Sequence, residues 1–436
     1  MKRFGRTALT LLFPTALAAQ VSADSVAHPI SLDEAVRLAQ RNSPTTVQAA
    51  GTVRSNAASV RSAYLSFIPS VSFSTGASKQ SGDRLGPQGT VVPYVVSSYQ
   101  YSSGMNMNVD LFDGGNRFFK LRAAKANVEA AEANATLQEY NVALNVKQQF
   151  YAVLAARESE SAAKSQLDQA QEQLKTASAK VAAGAATKSD SLRAIIQVGN
   201  AQLALIQAQN NLNIANASLT RLVATPFVVT AAESDTTLAI ALTVDSTEIT
   251  ALATHGPAVM QSEQAYAAAR ANVRGSLTPY LPTISARFSR NGAGQDSRFG
   301  WGDAQYPYAQ TLSFNLSFPF FNQGTREEQI VRSRVAEDVA QAQLRDTRLL
   351  AQQQLTQYLS SFRTAEQRVQ IQLASVAAAE EDLRVQQRRY QLGASTFLDV
   401  LNSQVTLNQA RAALIQARFD ARVAKAQIET LTGKDM

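Results

Sequence analysis

Cysteine is absent from all 436 residues, so an exported form of this chain has no disulfide framework and takes its stability from packing or assembly. No anchoring through a lipidated N-terminal cysteine is expected, for the same reason. Histidine is nearly as scarce: His28 and His255 stand alone, without ligand spacing to each other or to carboxylates, and no metal site is expected. Phosphate loops, nucleophile elbows and dinucleotide fingerprints are missing too, so neither a catalytic residue nor a cofactor site is expected. Charged residues make up 17% and aromatics 7%, a balance that suits long, closely packed Ala/Gln helices more than a bulky core. No segment after the N-terminus has the continuous apolar length of a transmembrane helix, so entry into a membrane has to be made by strands.

The net charge of +7 includes Lys2, Arg3 and Arg6, and the remaining excess of about +4 is too small to point to nucleic acid. Those three cations precede an apolar run from Ala8 to Ala19 and the small-residue site Val21-Ser22-Ala23, so residues 1–23 read as a secretory signal peptide.

Along the chain, one plan occurs twice. Ser31-Leu-Asp-Glu34 has capping-box spacing and opens a helix to about Asn42; Pro44 starts a second, to about Ser66. Asp245-Ser-Thr-Glu248 and Pro257 repeat this about 213 residues later, with Gln261 matching Gln48 and Leu281-Pro282 matching Ile68-Pro69. A period of two follows in each half. Val71, Phe73 and Thr75 alternate with serines, and Met105, Met107, Val109 and Leu111 with Asn106, Asn108 and Asp110. Ile284, Ala286 and Phe288 alternate with Ser285, Arg287 and Ser289, and Leu312, Phe314, Leu316 and Phe318 with Ser313, Asn315 and Ser317. The strands predicted are about 69–80, 98–112, 282–292 and 306–320, joined by Gly/Pro/Ser-rich loops near 80–98 and 291–306.

A half-buried sheet covered by helices is one reading of this pattern. The polar face argues for another, because it is built of Ser, Asn, Asp and Thr rather than the Lys and Glu of solvated sheets. Aromatics gather at both ends: Tyr94, Tyr99, Tyr101, Trp301, Tyr306 and Tyr308 toward the loops, Phe112, Phe118, Phe119, Phe318, Phe320 and Phe321 toward the helices. An apolar outside, a polar lumen and two aromatic girdles describe a membrane barrel. Four strands cannot close one, since about eight is the small end of the range, so strands have to be pooled between subunits.

After Asp113-Gly-Gly115 and Gln323-Gly324 the chain turns helical, to about Val181 and Tyr390. Each run is roughly 70 residues, about 100 Å at 1.5 Å per residue. Gly184-Ala-Ala-Thr-Lys-Ser-Asp190 and Gly393-Ala-Ser-Thr-Phe-Leu-Asp399 then read as tight turns, glycine stopping one helix and Thr or Asp capping the next. The returning helices carry heptads: Val198, Leu205, Leu212 and Leu219 in the first, Leu407, Leu414, Ala421 and Ile428 in the second. Between 184–224 and 393–433, 14 of 41 positions are identical, which reads as a tandem duplication. The organisation predicted is a first repeat, 24–224, with its hairpin at 113–224; a linker, 225–244; and a second repeat, 245–436, with its hairpin at 322–433.

With these features, and most specifically in Phe112-Asp-Gly-Gly-Asn116, Phe321-Asn-Gln-Gly324, Tyr390-Gln-Leu-Gly393 and Thr396-Phe-Leu-Asp-Val-Leu401, the mature chain resembles the TolC-like outer-membrane efflux protein family. The resemblance implies a mainly α fold with a membrane β-barrel: long antiparallel coiled-coil hairpins, and four strands per subunit in a homotrimer's twelve-stranded barrel. It implies an outer-membrane exit duct extending into the periplasm, for tripartite efflux or type I secretion. The partners implied are outer-membrane lipid, a periplasmic adaptor (membrane fusion protein) and an inner-membrane pump of RND or ABC type. It also implies a gate at the tips, linking Tyr390 to Asp190, with an acidic constriction at Asp399, and adaptor docking at Gly184, Ala185, Gly393 and Ala394. Two departures stand out. Ser395 occupies the place of a second linking arginine, so that link is absent or rebuilt by Arg389 or Arg388, and Asn402 replaces a second constriction acid. Asp399 also reads as a helix N-cap, and Tyr390 as a packing residue. Glu380-Glu381-Asp382 reads as a solvated face and Asp113-Gly-Gly as a strand-to-helix turn. The alternative function is a soluble periplasmic coiled-coil adaptor or scaffold, which leaves the lumen-like strand faces without a role.

Overall fold

The computed structural model describes residues 27–85, 87, 89–95, 98–232, 246–296, 298–299 and 307–434. The signal-peptide segment, Trp301 and Tyr306, the side chain of Tyr94 and most of the 225–244 stretch lie outside the described residues.

Four strands form one antiparallel sheet: β2 (Ser70–Ser78), β5 (Tyr99–Phe112), β7 (Thr283–Asp296) and β8 (Tyr308–Ser317), in the order β2-β5-β7-β8. The two halves of the chain meet at its centre, where β5 pairs with β7 from Tyr99↔Asp296 to Asp110↔Ser285, with an irregularity before Phe112↔Ile284. The register sets the alternating residues in rows, so that Val71–Met107–Phe288–Leu312 lies on one face and Ser72–Asn106–Ser289–Thr311 on the other. β8 stops at Ser317, short of the expected 320, because Pro319 has no N–H to give a ladder. The 80–98 segment, read as a loop, holds a hairpin of β3 (Ser81–Leu85) and β4 (Val91–Val95), whose valines outweigh the surrounding Gly and Pro.

Below the sheet run two long helices, α3 (Asn116–Ala182) and α7 (Thr325–Gln391), 67 residues each. At the strand-to-helix turn the Asp113 carboxylate accepts the N–H groups of Gly115 and Arg117 and pairs with Arg117 Nε at 3.1 Å. The upper parts of α3 and α7 are flanked by α2 (Pro44–Leu65) and α6 (Pro257–Gly275), and the lower parts by α4 (Lys188–Val223) and α8 (Phe397–Thr432). Asn56 Nδ2 bonds the Asn127 carbonyl above, and Gln149 Nε2 bonds the Ala215 carbonyl below. In α8 the heptad residues Leu407, Leu414, Ala421 and Ile428 are buried against α7, whereas in α4 Val198, Leu205 and Leu212 are half-buried.

Midway, a collar surrounds α3. It consists of α1 (Leu32–Asn42), capped by Ser31 as expected, and a two-stranded parallel sheet of β1 (His28–Ile30) and β6 (Val229–Ala231), while α5 (Ser246–Ala253) packs on α7 and α8. Phe150, Val146, Val153 and Leu154 of α3 pack there with Leu219, Val223 and Val229 in the main apolar core. β6 falls inside the stretch read as a linker; three residues are too few to show a period of two.

Glu380-Glu381-Asp382 is more than a solvated face. Glu380 pairs with Arg411 at 2.8 Å and Asp382 accepts the Ser403 hydroxyl at 2.5 Å, both across to α8, while Glu381 pairs with Arg384 on its own helix. No helix among the described residues is long and apolar enough to cross a membrane.

Candidate functional site

The two hairpin tips are the lowest points of the chain and share one backbone design. Gly184 (φ 72°) and Gly393 (φ 76°) take the left-handed conformation that stops a helix, and Ala185 and Ala394 return their N–H groups to the carbonyls of Lys180 and Arg389. A Cβ added at either glycine would meet nothing within 4 Å, so both tips are open to an approaching surface.

Each returning helix starts with a reciprocal cap. The Asp190 carboxylate accepts the Thr187 N–H (3.1 Å) and hydroxyl (3.0 Å), and the Asp399 carboxylate accepts the same two groups of Thr396 at 2.8 Å each. These bonds, first the Thr396 N–H and then its hydroxyl, hold the Asp399 carboxyl below the usual carboxylate range, and the Arg389 charge lowers it further. The N-cap of α8 is thus Thr396, and Asp399, read from the sequence as the cap, is its reciprocal partner at the third helical position; it is also exposed, as is Asn402 one turn on.

A carboxyl titrating below its ordinary value stabilises the fold fully above that value and stops doing so as pH falls through the lowered one. Acidification through that window is expected to loosen the first turn of α8, read as faster hydrogen exchange over residues 397–401. Asp399→Asn, which carries no titrating charge, should show a flatter pH response, and equal responses would remove the Asp399 cap from the account.

Tyr390 and Asp190 are near enough for the aspartate charge to act on the phenol, but no hydrogen bond joins them. Burial first, and the Asp190 charge second, push the Tyr390 hydroxyl up from its ordinary pKa, and its Oη has no hydrogen-bond partner. The ring packs 5.6 Å from Phe397 and lines a cleft of ≈ 370 Å³ with Gln169, Gln173 and Thr176 of α3 and Val400 of α8.

Lys180, which sequence reasoning passed over, makes one of the contacts between the hairpins, beside Gln173 Nε2 to Gln404 Oε1 at 3.3 Å and Lys147 to Glu429 at 2.6 Å. From the last turn of α3 Lys180 donates to the Tyr390 carbonyl and places its ammonium 4.1 Å from the Tyr390 ring centroid. A signal was available: Lys180 and Arg389 are the basic residues four and four places before the two turn glycines. Arg389 instead donates to the Ala394 carbonyl of its own turn, and Ser395, in place of the linking arginine, donates to the Gln386 carbonyl. Neither residue crosses to the other hairpin in these bonds. Among the described residues no group of three or more His, Cys, Asp or Glu is arranged to hold a metal ion.

The model of the family described as "Outer membrane efflux protein" matches residues 35–225 and 249–434. Over 396 residues the chain is 27% identical to the pyoverdine export outer membrane protein OpmQ of Pseudomonas aeruginosa, covering 89% of this chain and 82% of that one. It is 26% identical over 339 residues to the outer membrane efflux protein BepC of Brucella suis, covering 76% and 72%. Its fold superimposes on the Campylobacter jejuni CmeC outer membrane channel with a TM-score of 0.73 at 16% identity, covering 99% of this chain and 94% of that one.

Proposed function

This chain belongs to the outer membrane efflux protein family, and on that premise we propose that three copies assemble into one passive duct from a periplasmic partner to the cell exterior. The protein is an efflux channel of the Gram-negative outer membrane that extends into the periplasm.

The observation that carries the trimer is the sheet's two free edges. Among the described residues β2 and β8 each have one neighbour, and all ten residues of β8 are exposed. Unpaired backbone groups in hydrocarbon cost several kcal/mol each, so the sheet has to close, and four strands are too few. Three copies supply twelve strands, with β8 of one subunit against β2 of the next. Unsatisfied apolar stripes lower down support the same assembly. Ile196, Leu203 and Ile214 of α4, and Val331, Val335 and Val339 of α7, are all more than half exposed in the single chain.

The tips at Gly184, Ala185, Gly393 and Ala394 then receive an adaptor hairpin, because small residues let helices approach closely. Asp190, Tyr390 and Asp399 form the closing ring, with Lys180 on Tyr390 and Asn402 one turn behind. Energy comes from an inner-membrane pump of RND or ABC type, and both tripartite efflux and type I secretion fit the duct. The soluble-adaptor alternative gives no role to the apolar sheet face.

Chemical crosslinking of the membrane-extracted protein should give a trimer, and planar-bilayer recording should give discrete conductance steps. A monomer that does not conduct would sink the reading.

A further inference from the structure

The outward face of the sheet ends in a cation. Its rows run upward as Val109–Ala286–Phe314, then Val71–Met107–Phe288–Leu312, then Phe73–Met105–Arg290–Gln310. The next row, Thr75–Ser103–Gly292–Tyr308, has a single large side chain, so Arg290 stands at the upper margin of the apolar band. That margin is the extracellular one, because the long helices leave the sheet at its other end.

Arg290 is held there by a specific shelf. A Cβ at Gly292 would lie 2.7 Å from Tyr308 Cε1, so the tyrosine ring occupies the space above a residue that has no side chain. The Arg290 guanidinium carbon sits 4.7 Å from the centroid of that ring. Among the described residues no carboxylate pairs with it and no hydrogen bond uses its N–H groups. A guanidinium supported on one face by an aromatic ring keeps its planar fork of donors free, and that fork matches phosphate. Further up the same face, Lys79 rests 5.1 Å from the Tyr99 ring, and the Asp296 carboxylate accepts the Arg298 N–H. Asp296 is six residues from Arg290 along β7, about 20 Å away at the rise of a strand, too far to neutralise it.

We infer that Arg290, seated on Tyr308, binds a phosphate of a lipid in the outer leaflet of the outer membrane, an inference that rests on the trimeric barrel. Charge complementarity selects the occupant: an unpaired cation at the rim of an apolar band meets acyl chains below it and anionic headgroups beside it.

The test uses the full-length trimer in detergent, with bound lipid counted by native mass spectrometry. The probes are diphosphoryl lipid A, the same lipid dephosphorylated, and inorganic phosphate. Wild type should prefer the phosphorylated lipid by about tenfold, the worth of one charge-assisted contact, and Arg290→Gln should lose that preference. Arg287→Gln, on the lumen face, and Tyr308→Phe, which keeps the ring, should retain it. A preference unchanged in Arg290→Gln, or full competition by inorganic phosphate, would overturn the assignment. A wild type that binds neither lipid would take the barrel reading down with it.

Discussion

Replacing Lys180 by methionine is expected to raise the open-to-closed ratio at the periplasmic end by about tenfold, because one charged hydrogen bond is worth roughly 1.5–3 kcal/mol and each 1.4 kcal/mol is a factor of ten. The expectation follows from the tip geometry. Lys180 ties α3 of the first hairpin to α7 of the second close to the tips, through the Tyr390 carbonyl and ring. Methionine keeps the length and apolar stem while removing the charge, so α3 and α7 lose their electrostatic tie without a void. Tyr390→Phe is expected to leave the ratio close to wild type, since the hydroxyl it removes has no hydrogen-bond partner and the ring stays on Phe397. Single-channel recording distinguishes the two. An unchanged open probability in Lys180→Met would remove this tie from the gate, and a rise in Tyr390→Phe would return the latch to the phenol.

A larger effect, on stability rather than gating, is expected at the collar. Phe150→Ala should cost about 3–5 kcal/mol, the usual range for deleting a buried phenylalanine. Phe150 is fully buried, stands 6.3 Å from the Tyr151 ring, and is packed by residues of α3, α4, α1 and β6 that come from distant parts of the chain. Little can relax into the space, because α4 and the β1–β6 pair are held by their own bonds, among them Val229 N–H to Thr220 Oγ1 at 3.0 Å and Arg157 to Thr230 at 2.9 Å. Thermal unfolding followed by helicity checks this; a loss below 1 kcal/mol would mean that the collar is not the structural centre of the periplasmic part.

Patterns of short period were readable in the residues. The sheet rows follow from alternation in Val71–Thr75, Met105–Leu111, Ile284–Phe288 and Leu312–Phe318, and the tips from a glycine followed by Thr and Asp. The caps at Asp190 and Asp399 were legible for the same reason, since they lie within three residues of their partners. The Lys180–Tyr390 contact was not, because its partners are 210 residues apart: a basic residue four places before Gly184 marks the turn, not what the lysine meets on the other hairpin. Likewise β1 and β6 are too short to show a period, and their parallel pairing joins His28 to Val229 across the whole first hairpin.

The sequence by itself determined the long helices, their tight turns and the two faces of each strand of the large sheet, because helix and strand periodicity, glycine conformation and local capping act over a few residues. Only the tertiary structure decided which distant groups meet: the cross-hairpin lysine, the α7–α8 ties made by Glu380 and Asp382, the collar around Phe150, and the tyrosine shelf under Arg290. Those contacts depend on how two 67-residue helices and four strands are placed against one another, and no local preference carries that distance.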